Sequence, residues 1–300
     1  MTWFASSSGD RRSAEPALLD EALLSALRSL SLPVRRARGV LPGAHAGGQP
    51  GRGEEFFQHR AYVRGEDVRA VDWRASARSG HLLVKDLHRP LRQPLALLLD
   101  ESASMQLPSV GSKALCARRL GAALAFLALR RGDPVTLFSL DAGAFSARAR
   151  AVPGGRAAAS AEALLAAARP CGRADLASAL SSLAEAPLAG AHAVLLSDLY
   201  GDEARIAEGF SALARAGAAL TVVQVLSAAD REVPAGSVRD AESDEGRLLG
   251  GADAAGLAVR VEQWASRLRG AALRASAEPV AADAALHPVR TLRRWLTERP

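Results

Sequence analysis

Three hundred residues at 49% hydrophobic suffice to bury a sizeable core, as one α/β domain with an elaboration or as two domains. No run approaches the ~18 apolar residues of a membrane-spanning helix, no basic region leads into an apolar N-terminal stretch, and Cys116 and Cys171 make neither a disulfide framework nor a metal knuckle. A soluble, cytoplasmic, reduced protein is expected; the formal charge of +6 is almost all arginine, with lysine only at Lys85 and Lys113, and reads as compositional bias as much as a selected surface.

Residues 1–15 are polar, a frayed tail. Pro16 opens a helical pattern with Leu19, Leu23, Leu27 and Leu30 on one face, ending before Pro33, so residues 1–32 are an N-terminal tail and helix. Residues 33–94 form a β-rich elaboration. It begins with a loop carrying Arg35, Arg36, Arg38 and a series of glycines, then runs as strand and turn from Glu55 to Gln93. Within it Arg64-Gly65-Glu66-Asp67 is a turn and His81–Leu87 an alternating strand. Trp73 is expected as a core anchor, with Asp72 hydrogen-bonded to Arg69 or Arg74.

From residue 95 to 300 strand and helix alternate. Leu95–Leu99 is a buried strand, Lys113–Arg131 a long helix stopped by Gly132-Asp133-Pro134, and Val135–Leu140 and Ala144–Ala151 are strands. Ala157–Ala168 is a helix closed by Pro170, and Asp175 caps another ending at Leu183. His192–Ser197 is a strand, Glu203–Arg215 a helix ending near Gly217, and Ala219–Leu226 a strand. Residues 227–257 are acidic and Gly-rich, an expected loop or irregular insertion, before amphipathic helices at Ala258–Leu273 and Pro288–Leu296 anchored by Trp264, Leu292 and Trp295. The alternation predicts an α/β fold: a doubly wound, Rossmann-like, mainly parallel sheet with helices on both faces.

Asp100-Glu101-Ser102-Ala103-Ser104-Met105 directly follows the strand Leu95–Leu99. The pattern D-x-S-x-S sets one carboxylate and two hydroxyls on one tight loop, hard oxygen donors suited to Mg²⁺ or Mn²⁺ rather than Zn²⁺. Turn and helix-cap roles are the plainer reading of Ser102 and Ser104. In the strand order 3-2-1-4-5-6 the first and fourth strands are neighbours where the winding reverses, and ligands bind outside their carboxyl ends. By this count Asp198 ends the fourth strand, so Asp100 and Asp198 are expected to meet beside the two serines as metal ligands. The six histidines show no ligand spacing.

Leu99-Asp100-x-Ser102-x-Ser104-Met105 with Leu196-Ser197-Asp198 resembles the metal-ion-dependent adhesion motif of von Willebrand factor A domains. The longer signature Arg60-x-Tyr62-x-x-Gly65-x-Asp67-x-Arg69-x-Val71-Asp72-Trp73-Arg74, with Ala77-Arg78 and Leu83-Val84-Lys85, resembles bacterial proteins of the domain-of-unknown-function family 58. The resemblance runs from about Arg35 to the C-terminal helix. It implies a von Willebrand factor A-type fold for 95–300 and a chaperone-like adaptor role beside a MoxR-type AAA+ ATPase. Many members carry N-terminal membrane helices; no such helix is expected here. Where the family reads Gly-Gly-Thr-Asp-Leu, this chain has Gly172-Arg173-Ala174-Asp175-Leu176, so Ala174 stands in place of a threonine ligand. Weak or absent affinity for Mg²⁺ or Mn²⁺ is expected.

Three function classes remain. A non-enzymatic interaction module, offering a degenerate adhesion site to an acidic side chain of an ATPase or its client, is expected. The chain carries no G-x-x-x-x-G-K-[ST] of its own. A metal-dependent hydrolase using Asp100 and Asp198 is the alternative, disfavoured because no further carboxylates or histidines supply a base. A basic nucleic-acid-binding protein is the third, with aromatics at only 4% to stack on bases. The basic residues between Arg35 and Arg92 remain available to an acidic partner surface.

Overall fold

The computed structural model describes residues 17–35, 55–88, 92–107, 112–141, 143–168, 174–231, 236–239, 246–249 and 251–297. Arg36, Arg38, Pro16, Cys171, Gly172, Arg173 and the acidic stretch 240–245 fall outside them. Helix α1 (Glu21–Leu27) starts on Asp20, whose carboxylate accepts the Leu23 N–H. Leu19, Leu23, Leu27 and Leu30 are buried together as their spacing predicts. The next segment holds β1 (Glu55–Ala61), α2 (Trp73–Ser79) and β2 (Leu83–His88), with β1 and β2 antiparallel.

The remaining elements are β3 (Leu95–Leu99), α3 (Lys113–Arg131), β4 (Val135–Asp141), β5 (Ala144–Ala151), α4 (Ala157–Ala166), α5 (Leu176–Leu183) and β6 (His192–Ser197). They are followed by α6 (Glu203–Arg215), β7 (Ala219–Leu226), β8 (Gly236–Arg239), β9 (Gly246–Leu249), α7 (Gly251–Arg274), β10 (Glu278–Asp283) and α8 (Pro288–Thr297). Six strands make one sheet in the order β5-β4-β3-β6-β7-β10, all pairs parallel except β4 with the edge strand β5. Numbered along the chain this is 3-2-1-4-5-6, a doubly wound, mainly parallel α/β sheet.

Strands β3, β6 and β7 are buried end to end, as unbroken apolar runs require of strands covered on both faces. Alternation splits β3 between two cores. Leu95, Leu97 and Leu99 pack with α3, α4 and α1, whereas Ala96 and Leu98 pack with α5, α6 and α7. The helices after β3 and β6 therefore leave on opposite faces, and a crevice opens between those two strand ends. Helix α3 is buried almost all round because α1, α4 and α8 cover the side turned from the sheet. Gly209 lets α6 approach α5 closely; a Cβ there would lie 2.6 Å from Leu180 Cβ.

Several expectations are corrected. Trp73 is not a core anchor: it opens α2 and is 64% exposed. Asp72 is hydrogen-bonded to Arg74 as expected, but through the backbone: it caps α2, accepting the N–H groups of Arg74 and Ala75, and its other oxygen meets His59 at 3.0 Å. Helix α2 itself was not anticipated, because its seven residues show no apolar period. It is held by the Asp72 cap, by Gly80 at φ +73°, and by Ser76, whose hydroxyl accepts the Leu83 N–H at 2.8 Å. The span 227–257 is not only loop: β8 and β9 pair antiparallel within it, and α7 begins at Gly251. Strand β10 was also missed. Pro279 obscures its pattern, yet the strand lies at the sheet edge, where a proline is tolerated.

Candidate functional site

Strand β3 delivers Asp100 to the rim of the sheet, where its N–H bonds Leu196 O at 3.0 Å and extends the ladder to β6 by one residue. One carboxylate oxygen of Asp100 accepts the Ser102 N–H at 3.0 Å; the other accepts the Ser197 hydroxyl at 2.6 Å. Ser102 starts a 3-10 turn over Ala103–Gln106 with no side-chain cap, which leaves its hydroxyl 3.1 Å from that of Ser104. Buried Met105 and the doubly bonded pair of buried Glu101 with Arg118 of α3 pin the loop from beneath. Burial and the adjacent negative charge of Asp198 push the Asp100 carboxyl up to about 6, against the hydrogen bonds from Ser197 and Ser102.

The tertiary structure thus brings Asp100, Ser102, Ser104 and Asp198 to neighbouring strand ends, but Asp198 is already engaged. The Lys113 ammonium donates to Asp198 Oδ2 at 2.8 Å and to Asp230 Oδ1 at 2.9 Å, and is 1% exposed. It also lies 4.9 Å from the centre of the Tyr200 ring, whose face attracts it. Tyr200 donates its hydroxyl to Asp230 at 3.0 Å and stacks on Trp264, centroids 4.9 Å apart. Asp230 also takes the N–H and hydroxyl of Ser227. Burial alone would lower the Lys113 pKa, but Asp198 and Asp230 raise it above the ordinary lysine value. Burial acts on Asp230 in the opposite sense to its hydrogen bonds and to Lys113, which hold it below the usual carboxylate range. Burial followed by the two carboxylates pushes the Tyr200 phenol upward.

Lys113, Asp230 and Tyr200 were missed by the sequence reading. One signal existed: Lys113 is one of two lysines and opens α3, where the helix dipole disfavours a cation unless acidic partners surround it. Beyond Asp198, Leu199 takes φ +66°, a conformation rare outside glycine. It is held by its N–H to Ser197 Oγ at 2.8 Å and by the Tyr200 N–H to Asp198 Oδ1 at 3.2 Å.

The donor set does not fit a firmly held Mg²⁺ or Mn²⁺. Asp198 spends its charge on an internal ammonium. Ala174, packed against the second core, brings a methyl where an oxygen would be needed. Its neighbour Asp175 turns to the α5 N-terminus, accepting the Ser178 N–H at 3.1 Å and its hydroxyl at 2.6 Å, and pairing with Arg205 at 3.2 Å. Those partners, Ser178 first, hold Asp175 below the usual carboxylate range despite burial. Asp100, already hydrogen-bonded on both oxygens, and two hydroxyls remain, a single free carboxylate where such an ion is usually held by one or two with water completing its six oxygens, which makes for weak binding.

His192, His59 and His287 are engaged away from this crevice. His192 lies at the start of β6, the opposite end of that strand from Asp198, against Thr221 at 2.9 Å; burial, with Arg35 and Arg131, pulls it down to about 3. His59 meets Asp72, and His287 meets Asp20. The Cys116 thiol is buried and pushed up to about 12 by burial and Asp283, an inert side chain. No helix of the described residues is long and apolar enough to cross a membrane.

The family model described as "Protein of unknown function DUF58" matches residues 58–265. The uncharacterized protein Rv1480 of Mycobacterium tuberculosis is 40% identical over 87 residues, 29% of this chain and 27% of that protein; Mb1516 of Mycobacterium bovis matches equally. The matched stretch thus spans about a quarter of either relative. Among solved structures, a von Willebrand factor type A protein from Catenulispora acidiphila is 14% identical, covering 72% of this chain and 43% of that one, TM-score 0.42. BatB from Bacteroides thetaiotaomicron is 18% identical, covering 64% and 90%, TM-score 0.39.

Proposed function

The chain belongs to the DUF58 family, and from that premise we propose that it is a non-enzymatic protein-interaction module acting through the crevice between β3 and β6. The observation that carries this reading is the pairing of Asp198 with Lys113 at 2.8 Å. With that carboxylate neutralised from within, the rim presents the half-buried Ser104 hydroxyl as a recognition group, backed by Ser102 and Asp100 buried beneath it, with no paired base to drive turnover.

The partner we propose is a MoxR-type AAA+ ATPase in the cytoplasm, or a client that it remodels, the nucleotide work being the ATPase's. That partner comes from the family resemblance, and the crevice chemistry limits how it would engage. A partner carboxylate would approach Asp100 only with a divalent ion between them, a degenerate adhesion site of weak affinity. A partner amide or guanidinium would need no ion.

Surface-immobilised chain and a purified MoxR-type ATPase test this. Wild type is expected to bind, and Asp100→Ala and Ser102→Ala to weaken binding at least tenfold while melting as folded proteins. Insensitivity to chelator marks a donor group on the partner, and loss in chelator marks an ion-bridged carboxylate. Absence of association with the ATPase, or phosphoester turnover in Mg²⁺ or Mn²⁺ that vanishes in Asp100→Ala, overturns the proposal; the turnover result would install the hydrolase reading.

A further inference from the structure

The signature segment around residues 60–84 contributes nothing to the crevice described above, yet it carries the largest exposed aromatic side chain of the described residues. Trp73 is 64% exposed, and Val63, Val68 and Leu82 are 60%, 57% and 48% exposed. Backbone pairing gathers them at one end of the β1–β2 hairpin. The Tyr62 N–H bonds Leu82 O at 2.9 Å, the Asp72 N–H bonds Leu83 O at 2.8 Å, and Val71 N–H closes on Val68 O. Trp73 is fixed as the first residue of α2 by the Asp72 cap, and Asp72 is tied in turn to His59. Holding an indole in water on so short and well-braced a helix serves no packing purpose, and large exposed apolar groups brought to one end of a hairpin mark interaction sites.

The charges around Trp73 say what kind of partner fits. Arg64, Arg69, Arg74 and Arg78 are exposed, and among the described residues none has a carboxylate within ion-pairing distance. Arg74 and Arg78 stand one helical turn apart, the Arg78 Nε donating to Arg74 O at 3.2 Å. The nearby acids are committed: Glu66 pairs with Arg60 at 2.7 Å, and Asp67 accepts the Arg69 N–H at 2.9 Å. Four guanidinium groups without a carboxylate partner among the described residues, on the same segment as an exposed tryptophan and three aliphatic side chains, give the composition of a protein-interface centre, rich in Trp and Arg. A nucleic-acid strand would use the charge and the single indole but would leave the three aliphatic groups uncovered.

We propose that the α2 end of the hairpin is a second docking surface, distinct from the β3–β6 crevice, for an acidic protein segment with apolar side chains. The indole and the valines take the apolar groups, and the guanidinium groups take carboxylates as two-pronged pairs.

The probe is a fluorescent amphipathic peptide of Glu, Asp, Leu and Phe, compared with its Lys-for-acid counterpart and with a labelled oligothymidylate, by anisotropy against the full chain. The acidic peptide is expected to bind, to blue-shift tryptophan emission in wild type but not in Trp73→Phe, and to weaken roughly tenfold in Trp73→Ala and in Arg74→Ala with Arg78→Ala. Trp73→Ala should move the melting midpoint by less than about 2 °C, which separates lost docking from lost fold. Equal affinity for the lysine peptide, tighter binding of the oligothymidylate, no binding of the acidic peptide, or binding unaffected by these substitutions overturns the proposal. None of these variants touches Asp100 or Ser102, so failure here leaves the crevice reading standing, and the reverse holds as well.

Discussion

Replacing Lys113 with methionine removes one charge from the interior while keeping a similar stem length. The ammonium lies 2.8 Å from Asp198 and 2.9 Å from Asp230, and both acids are otherwise sealed by Tyr200 and Ser227. Breaking a buried ion pair from one side costs about 3–5 kcal/mol. Here one cation serves two carboxylates, so the loss belongs near the upper end, and the lost contact of this desolvated ammonium with the Tyr200 ring adds about 2 kcal/mol. For a domain of this size, 1 kcal/mol moves the midpoint by roughly 2–4 °C, so thermal melts at pH 7.5 should show a drop of about 10–25 °C.

The pH dependence gives the reasoning a sign. Asp230 is lowered in the native protein, so it adds stability above its unfolded value of 3.8 that is lost as pH falls through the folded value. Without Lys113 that contribution disappears, and the difference between wild type and variant should shrink as pH falls below 3.8. Lys113 is raised, so its contribution is complete below 10.5 and flat across neutral pH. Adding Asp198→Asn and Asp230→Asn to the variant should recover most of the loss. A penalty under about 1 kcal/mol at pH 7.5, or one that grows on acidification, refutes the account of Lys113 as the counter-charge of this crevice.

Asp100→Asn should stabilise the protein near pH 7.5 by up to about 3 kcal/mol. Its folded pKa of about 6 exceeds 3.8, so the native state favours the protonated acid and loses that stability as pH rises between those values; a wild-type-minus-variant gap that is flat from pH 4 to 7 would contradict this. Melts in EDTA and in millimolar Mg²⁺ should coincide for wild type, because ion binding to the native state alone would raise the midpoint; a Mg²⁺-dependent rise would mean the crevice accepts the ion. Gly209→Ala should cost about 1–3 kcal/mol, since its Cβ would press on Leu180 at 2.6 Å; an unchanged denaturation midpoint would show that α5 and α6 separate freely.

The central strands were legible in the chain because unbroken apolar runs report burial on both faces of a sheet: Leu95–Leu99, His192–Ser197 and Ala219–Leu226 occur as read. The crevice location was legible too, since Asp100 and Asp198 each close an apolar run and the winding rule makes those runs neighbours. Short elements were not. Helix α2 and strand β10 owe their existence to partners elsewhere in the chain, the Leu83 N–H and the edge of β7, rather than to any pattern of their own.

What tertiary structure alone decided is charge pairing and exposure. Lys113 and Asp230 stand 117 residues apart, and a tryptophan between an aspartate and an arginine looks the same in sequence whether it faces the core or water. Local sequence sets backbone geometry through short-range hydrogen bonds and sterics. Which side chain neutralises a buried carboxylate, and which indole is left in solvent, depends on long-range proximity that appears only when the sheet has closed around its helices.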